Sequence, residues 1–278
     1  MIRTESGGTN RLMRTNPETS PRRLTLDGCV AQAMDGEGPE IVPYLPYILK
    51  DAWELGTLPG TVIDLVRRHL TDPARLRVLD LGCGKGAVSV RLAHELGCRC
   101  LGIDALAEFI AVAREKAAAF GVRRRCRFEV GDIRDRIRDL GRFDVTVLGA
   151  IGPVFGGYRA TLDILAPHLG PDGLIVLDDG YLPDDSPHRH PLVVRRSELL
   201  GEIESAGMRL VEEVVVGAEA MQAMDEVMFR GVERRCRELI ARHPDKRDLF
   251  EGYIRRQVEE NDWLESRIVC AVMAIRKQ

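Results

Sequence analysis

The sequence has no run of 18 apolar residues, no C-x-x-C pair and no excess of charge of one sign. The first absence leaves no segment able to cross a bilayer as a helix, so no membrane partner is expected. Seven cysteines, an odd count, are scattered at 29, 83, 98, 100, 126, 236 and 270. That pattern argues against a disulfide scaffold or a zinc site, and for a reducing, cytoplasmic setting. Cys98 and Cys100 flank a strand pattern and read as small buried hydrophobes. A net charge of -3 gives no electrostatic footprint for polyanion binding, which counts against a nucleic-acid partner. Aromatics make up only 5%, and Tyr44, Tyr47 and Trp53 cluster ahead of the first strand pattern. Residues 1–21 are polar, punctuated by Gly-Gly, Asn-Pro and Ser-Pro, and lack an apolar h-region. They read as a disordered tail and not as a signal peptide.

What is present is a regular alternation. Strand patterns at Arg77–Leu81, Arg99–Ile103, Cys126–Val130, Phe143–Leu148 and Gly173–Leu177 are separated by helical patterns. These helices cover Ala87–Leu96, about Leu106 to Phe120, a short stretch ending near Leu140, and about Tyr158 to His168. Such β-α repetition predicts an α/β fold, a parallel sheet with helices on both faces. Ser197–Ala206 reads as a helix capped by Ser197, and Met208–Val216 as a strand. Two amphipathic helices follow, separated by Pro244 with Asp245 as cap of the second, and Ile268–Ile275 closes the chain as a strand. The helical pair, about residues 219–264, reads as an insertion before the last strand. Residues 22–75 read as an N-terminal helical layer or lid, with short helices in Pro43–Leu70 broken at Gly56–Gly60. Residues 76–278 form the main domain.

The densest signal is Val78-Leu79-Asp80-Leu81-Gly82-Cys83-Gly84-Lys85-Gly86-Ala87. Alternate glycines between a strand and a helix bring backbone close to a ligand. Gly82-x-Gly84-x-x-Ala87 also fits the loosened dinucleotide fingerprint, which keeps an NAD-dependent oxidoreductase in view. Asp80, at the strand end, suits a cationic or hydroxyl-bearing ligand and would repel a pyrophosphate. Asp104 lies 22 residues after Gly82, the spacing of an acid that accepts ribose hydroxyls. Gly131-Asp132-Ile133 ends strand three, where an acid can take an exocyclic amine and an isoleucine can cover a ring.

From Leu76 onward these motifs, with LGIDAL, VGDI and FDVTVLGAIG…LAPHLGPDGLIVLDD, resemble the class I S-adenosylmethionine-dependent methyltransferases of the small-molecule type. The resemblance implies a Rossmann-like, mostly parallel seven-stranded sheet with an antiparallel C-terminal strand, and S-adenosyl-L-methionine as cofactor. It implies that Gly82, Cys83, Gly84 and Gly86 line the methionine part, that Asp104, with Ala105 beside it, grips the ribose, and that Asp132 and Ile133 hold the adenine. Gly149 and Ala150, after strand four, would sit near the sulfonium. The acceptor would be a small molecule methylated at oxygen or nitrogen.

Methyl transfer needs an aligned acceptor and, where that acceptor is protonated, removal of its proton. Asp178-Asp179 at the end of strand five, with Tyr181 beyond, are the catalytic candidates. Adjacent carboxylates on a strand point to opposite sides, so at most one is expected to face the acceptor. Metal-dependent catechol-type relatives carry a further acid after strand four; here Gly149-Ala150-Ile151-Gly152 supplies none, so no metal is expected. His188 and His190, in a proline-rich loop, read as surface histidines, and Arg123–Arg127 as a solvated turn. No Asn-Pro-Pro-Tyr type motif follows strand four, which also counts against nucleic acid. The helical pair, with Met221, Met224 and Met228 on one face, serves either as an acceptor lid or as a homodimer interface. A cofactor-binding member of the fold without catalysis is the remaining alternative.

Overall fold

The structure is a computed structural model describing residues 24–278; the side chains of 218–221 and 223–225 are outside the described set. The tail read at 1–21, and the side chains of Met221 and Met224, therefore lie outside the described residues. Seven strands form one sheet: β1 (Arg77–Leu81), β2 (Arg99–Asp104), β3 (Cys126–Val130), β4 (Phe143–Gly149), β5 (Leu169–Tyr181), β6 (Met208–Val215) and β7 (Val269–Lys277). Their order is β3-β2-β1-β4-β5-β7-β6. Neighbours among β1–β5 pair in parallel, and β7 runs antiparallel to both β5 and β6. This is the mostly parallel, Rossmann-like sheet with an antiparallel C-terminal strand that the sequence predicts.

The central strands are apolar on both faces because both are covered. Val78, Val145, Val147, Leu174 and Val176 face one core; Leu79, Leu81, Leu148, Ile175 and Leu177 face the other. Helices α3 (Pro59–His69), α4 (Ala87–Leu96) and α5 (Ala107–Ala119) contribute to the first core. Helices α7 (Tyr158–Leu165) and α8 (Arg196–Ser205) contribute to the second, beside the single turn α6 (Ile133–Arg136).

Four boundaries differ from expectation. Gly170–Gly173 reads locally as a turn, yet β5 begins at Leu169. Phe143 pairs with Leu169 and Val145 with Leu174, so these four residues bulge out of a continuing strand. At its other end β5 continues to Tyr181 against β7, which places Asp178, Asp179 and Tyr181 inside the strand. Helix α8 starts at Arg196, not behind a Ser197 cap: Glu198 accepts from the Arg195 N–H at 2.9 Å, and the Ser197 N–H donates to Asp184. Asp245 does not cap the second insertion helix either, since Pro244–Lys246 forms a 3-10 turn and the helix begins at Arg247.

The first part of the N-terminal layer, through Ile48, and the insertion share one core, while α3 packs on the sheet. Helices α1 (Leu26–Ala33) and α2 (Leu45–Ile48) pack with α9 (Ala218–Arg242) and α10 (Arg247–Ser266) around Ile41, Leu45, Ile48, Val232, Cys236, Phe250 and Tyr253. Tyr44 meets Phe250 edge-on at 5.0 Å. Phe109, on α5, is the main-domain residue in this third core. The sequence gives no strong sign of α1: Gly28 in its first turn weakens helix propensity, and packing of Ala31 in the shared core decides. No helix among the described residues is long and apolar enough to cross a membrane.

Asp35 follows α1 in a left-handed turn (φ 57), where its carboxylate accepts from Gln257 of α10 at 3.1 Å. Burial, helped by the nearby Glu260, pushes its carboxyl up to about 7 from 3.8. An acid that protonates more easily folded than unfolded contributes stability that is full below its unfolded value and lost as pH rises toward its folded one. Asp35→Asn should therefore gain melting temperature over the wild type at pH 8 relative to pH 4; an equal difference at both pH values contradicts this. Phe250→Ala should cost about 3–5 kcal/mol in urea unfolding and deprotect amides of α1 and α10 together, because they share one core. Loss of protection in α10 alone would show that the two ends of the chain are not one unit.

Candidate active site

Three glycines turn the chain from β1 into α4, all in the left-handed region: Gly82 (φ 70), Gly84 (φ 52) and Gly86 (φ 75). Any other residue there pays roughly 1–2 kcal/mol of backbone strain. Packing adds a second reason. A Cβ on Gly86 would meet Ala113 Cβ at 2.8 Å and Phe128 at 2.9 Å, and one on Gly82 would meet Ile151 Cγ2 at 2.7 Å. The loop is fixed from below: the N–H groups of Gly82 and Cys83 both donate to the Ile103 carbonyl. Cys83 is buried, with its thiol turned toward Gly102, so only its backbone is on the loop's outer side.

The acids divide. Asp104, at the end of β2, accepts from the Gly84 N–H at 2.8 Å and from the Leu106 N–H at 2.9 Å; burial raises its carboxyl while these donors offset the shift. Ala105 beside it is half-buried. Asp132 caps α6, accepting from the Arg134 N–H at 2.9 Å, and Ile133 packs behind it in the second core. Asp80 turns inward. Only 3% exposed, it accepts from the Ser89 hydroxyl of α4 at 2.6 Å, and burial pushes its carboxyl up to about 6. Asp80 thus supports the glycine loop from inside instead of presenting a carboxylate to a ligand.

Five contacts carry no signal of their own in the sequence. Arg134 grips Asp132 with Nε at 2.9 Å and Nη2 at 2.6 Å, and reaches back to the Leu24 carbonyl at 2.9 Å, tying the adenine-side acid to the N-terminal layer. Lys85, in the middle of the glycine loop, is buried, and its ammonium donates to the carbonyls of Leu49 and Ala52. Trp53 returns an Nε1–H bond to the Lys85 carbonyl at 3.0 Å. Desolvation pushes Lys85 down to about 8. A lysine within a glycine loop, with no phosphate motif around it, was the available signal.

The segment after Trp53 then lies across the loop. Leu55 Cδ1 stands 3.3 Å from where a Gly84 Cβ would be, Ala150 Cβ stands 2.8 Å from that of Gly56, and Thr57 Oγ1 stands 2.3 Å from that of Gly149. Gly149 and Ala150 end β4; Ala150 holds a left-handed φ of 51 and donates its N–H to the Asp178 carbonyl at 3.0 Å. Strain in a non-glycine residue beside a ligand loop is the kind of feature that functional sites retain.

Asp178 and Asp179 point to opposite faces. Asp178 lies on the side of Thr57, and burial pushes its carboxyl up to about 6. Asp179 caps the Gly180 N–H at 2.8 Å and lies beside Tyr158. Tyr181 is buried with its hydroxyl on Glu213 at 2.5 Å, and Glu213 in turn accepts from Arg196 at 2.7 Å. That network commits the Tyr181 phenol to α8 and β6, so the structure does not bring it to the glycine loop. His188 and His190 pack on Trp263, at 5.9 and 5.0 Å. Among the described residues no three His, Cys, Asp or Glu side chains converge as a metal-binding set.

Residues 73–226 match the family described as a methyltransferase domain. The chain belongs to the methyltransferase domain family. The resemblance to the methyltransferases read in the sequence is borne out at the level of the family. The chain is 30% identical over 105 residues to the uncharacterized protein YjhP of Escherichia coli, covering 38% of this chain and 42% of that protein. It is 34% identical over 70 residues to ajmaline N-methyltransferase of Rauvolfia serpentina, 25% of this chain and 24% of that one. These matches span less than half the length of either relative. In fold it is similar to a SAM-dependent methyltransferase from Geobacter sulfurreducens crystallized with S-adenosyl-L-homocysteine, with a TM-score of 0.70, 22% identity, and coverage of 85% of this chain and 98% of that chain.

Gly121 also has positive φ (72), but a Cβ there would meet nothing within 4 Å. Gly121→Ala should cost about 1–2 kcal/mol, the left-handed strain alone. Gly86→Ala should cost at least about twice that, since packing adds to strain. Equal losses in chemical denaturation would remove Ala113 and Phe128 as the reason for glycine at 86.

Proposed function

We propose that the protein is an S-adenosylmethionine-dependent methyltransferase acting on a small-molecule acceptor at nitrogen or oxygen. The observation that carries this reading is the arrangement of Asp104 and Asp132 at the ends of adjacent strands beside the left-handed 82–86 loop. These residues fit a sulfonium nucleoside. Above Gly84 a Cβ would meet one movable leucine side chain, so backbone is open to close approach once Leu55 shifts. Asp104 keeps a buried carboxylate at the strand end for ribose hydroxyls. Asp132 and Ile133 would hold the adenine, with Arg134 sharing the carboxylate. At the start of α4 Asp80 takes the Ser89 N–H, while Gly86 offers no side-chain cap, so the N–H groups ahead of Ser89 are the ones left for the methionine carboxylate. Gly82, Cys83, Gly84 and Gly86 would line the methionine part through their backbones, with Gly149 and Ala150 near the sulfonium.

The bound cofactor supplies an electrophilic methyl: the acceptor lone pair forms the new bond to carbon as the C–S bond breaks, its electron pair staying on sulfur. The chain's share is alignment and proton removal. Asp178 faces the 55–57 segment at the end of β4 and is the group we assign to take the acceptor proton. Asp179, on the opposite face beside Tyr158, shapes the strand end. Ajmaline N-methyltransferase and norajmaline N-methyltransferase among the relatives support a nitrogen acceptor.

Isothermal titration should show S-adenosylhomocysteine binding to the wild type. Asp104→Asn should weaken it about 10–100-fold, the worth of a charged hydrogen bond or two, while the fold survives with a lowered melting temperature, since the amide can accept from only one of the Gly84 and Leu106 N–H groups. No binding to the wild type would refute the reading.

A further inference from the structure

Thr57 is 6% exposed, and its buried hydroxyl lies against the Asp178 carboxyl, close enough to lower it, yet makes no well-formed hydrogen bond to any described residue. Buried polar atoms are normally satisfied, because an unmade bond costs the full desolvation of the group. This one is delivered to its position by a chain of contacts: Lys85 and Trp53 fasten residues 49–53 onto the glycine loop, and Gly56 and Thr57 then pack on Ala150 and Gly149. Gly149 is the register partner of Asp178 on β5. The hydroxyl thus sits where the lid, the end of β4 and the Asp178 carboxyl meet. Asp178 has no Lys, Arg or His partner among the described residues, so a half-buried acid stands at this point with no cation of the protein to match it.

We propose that Thr57 is the positioning residue by which the lid completes the methyl-transfer site, its hydroxyl and the Asp178 carboxyl together receiving the cationic nitrogen of an amine acceptor. The inference rests on the methyltransferase reading above and narrows it to amines. The threonine oxygen accepts one N–H of the ammonium or donates to Asp178. Asp178 holds a second N–H and takes that proton, freeing the lone pair that forms the N–C bond. Because the lid supplies Thr57 and also lies over Gly84, the amine site exists only with the segment 55–57 in place.

Sinefungin, in which a carbon bearing an amine replaces the sulfur and its methyl, puts an ammonium where the transferred methyl would lie, next to the amine site, whereas S-adenosylhomocysteine has no group there. The ratio of their dissociation constants therefore reads the amine site without an identified acceptor. Thr57 from the lid faces Asp178, with Gly149 on β4 and Val272 on β7 as its strand partners; none of these titrates, and the one neighbouring charge is Asp179, on the other face of the same strand. At pH 8 the wild type should favour sinefungin by about tenfold or more, as a charge-assisted bond allows. The preference should shrink below pH 6 as the carboxyl protonates. Asp178→Asn should abolish it. Thr57→Val, nearly isosteric, should reduce it severalfold, and Thr57→Ser should restore it. An unchanged ratio in Thr57→Val, with S-adenosylhomocysteine still bound, overturns the role of Thr57 and leaves the methyltransferase reading standing. Failure of Thr57→Ser to restore the ratio lost in Thr57→Val assigns the effect to packing and also overturns it. A wild type that binds neither compound removes both.

Discussion

The buried ammonium of Lys85 joins two bodies that otherwise meet through few polar contacts. It leaves the glycine loop, crosses the seam, and ends on the carbonyls at the close of α2, while Trp53 bonds back to the lysine's own carbonyl. A charge withdrawn from water is costly unless its donors are filled, and here backbone carbonyls and the face of Phe109, 5.4 Å away, fill them. The geometry of the lid follows from this point. With residues 49–53 held, the next four residues have little freedom, and Leu55, Gly56 and Thr57 fall across Gly84, Ala150 and Gly149. The close fit there in turn explains why glycine stands at 56 and 149.

The acids around the loop are arranged by depth. Asp80 lies underneath and braces α4 through Ser89. Asp104 lies at loop level, binding backbone on one side. Asp132 lies at the rim, where Arg134 links it to the N-terminal layer. Asp178 and Asp179 stand apart on β5. Burial raises all four of the deeper carboxyls, Asp80, Asp104, Asp178 and Asp179, and the first-order reason is the same in each, too little water around a negative charge. A cationic ligand entering this region would find that deficit already in place.

Much of the sheet was legible because its signals are local. The apolar runs at 77–81, 126–130 and 143–148 are bounded by polar residues and glycine, and the helices between them keep a 3.6-residue period. The glycine loop and the strand-end acids were legible because spacing along the chain reproduces spacing across adjacent parallel strands. What was not legible depends on pairing between distant residues. The Gly170–Gly173 signal was a bulge because Phe143 and Val145 held register on either side of it. Asp80 reads like a ligand group until Ser89, one helical turn into α4, takes its oxygen. Tyr181 reads like a catalytic phenol until Glu213 on β6 takes its hydroxyl. Thr57 carries no sequence signal at all; it matters because a loop from the N-terminal layer happens to end on Gly149.

The shared core of α1, α2, α9 and α10 has a consequence for how the protein comes to exist. Its two halves are separated by about 200 residues of chain, the interval between Ala31 and Val232. At 5–20 residues per second a ribosome needs roughly 10–40 s to make that interval, and through it the apolar side of the first helices has no partner. The β-α repeats in between can assemble locally as they emerge. The early half of the cap must therefore wait, exposed, beside the parallel strands β1–β5, until α9, α10 and finally β7, which joins β5 to β6, are made. Newly made chains are at their most aggregation-prone in that window, so a substitution in α10 would lower the yield of soluble protein before it altered the finished fold.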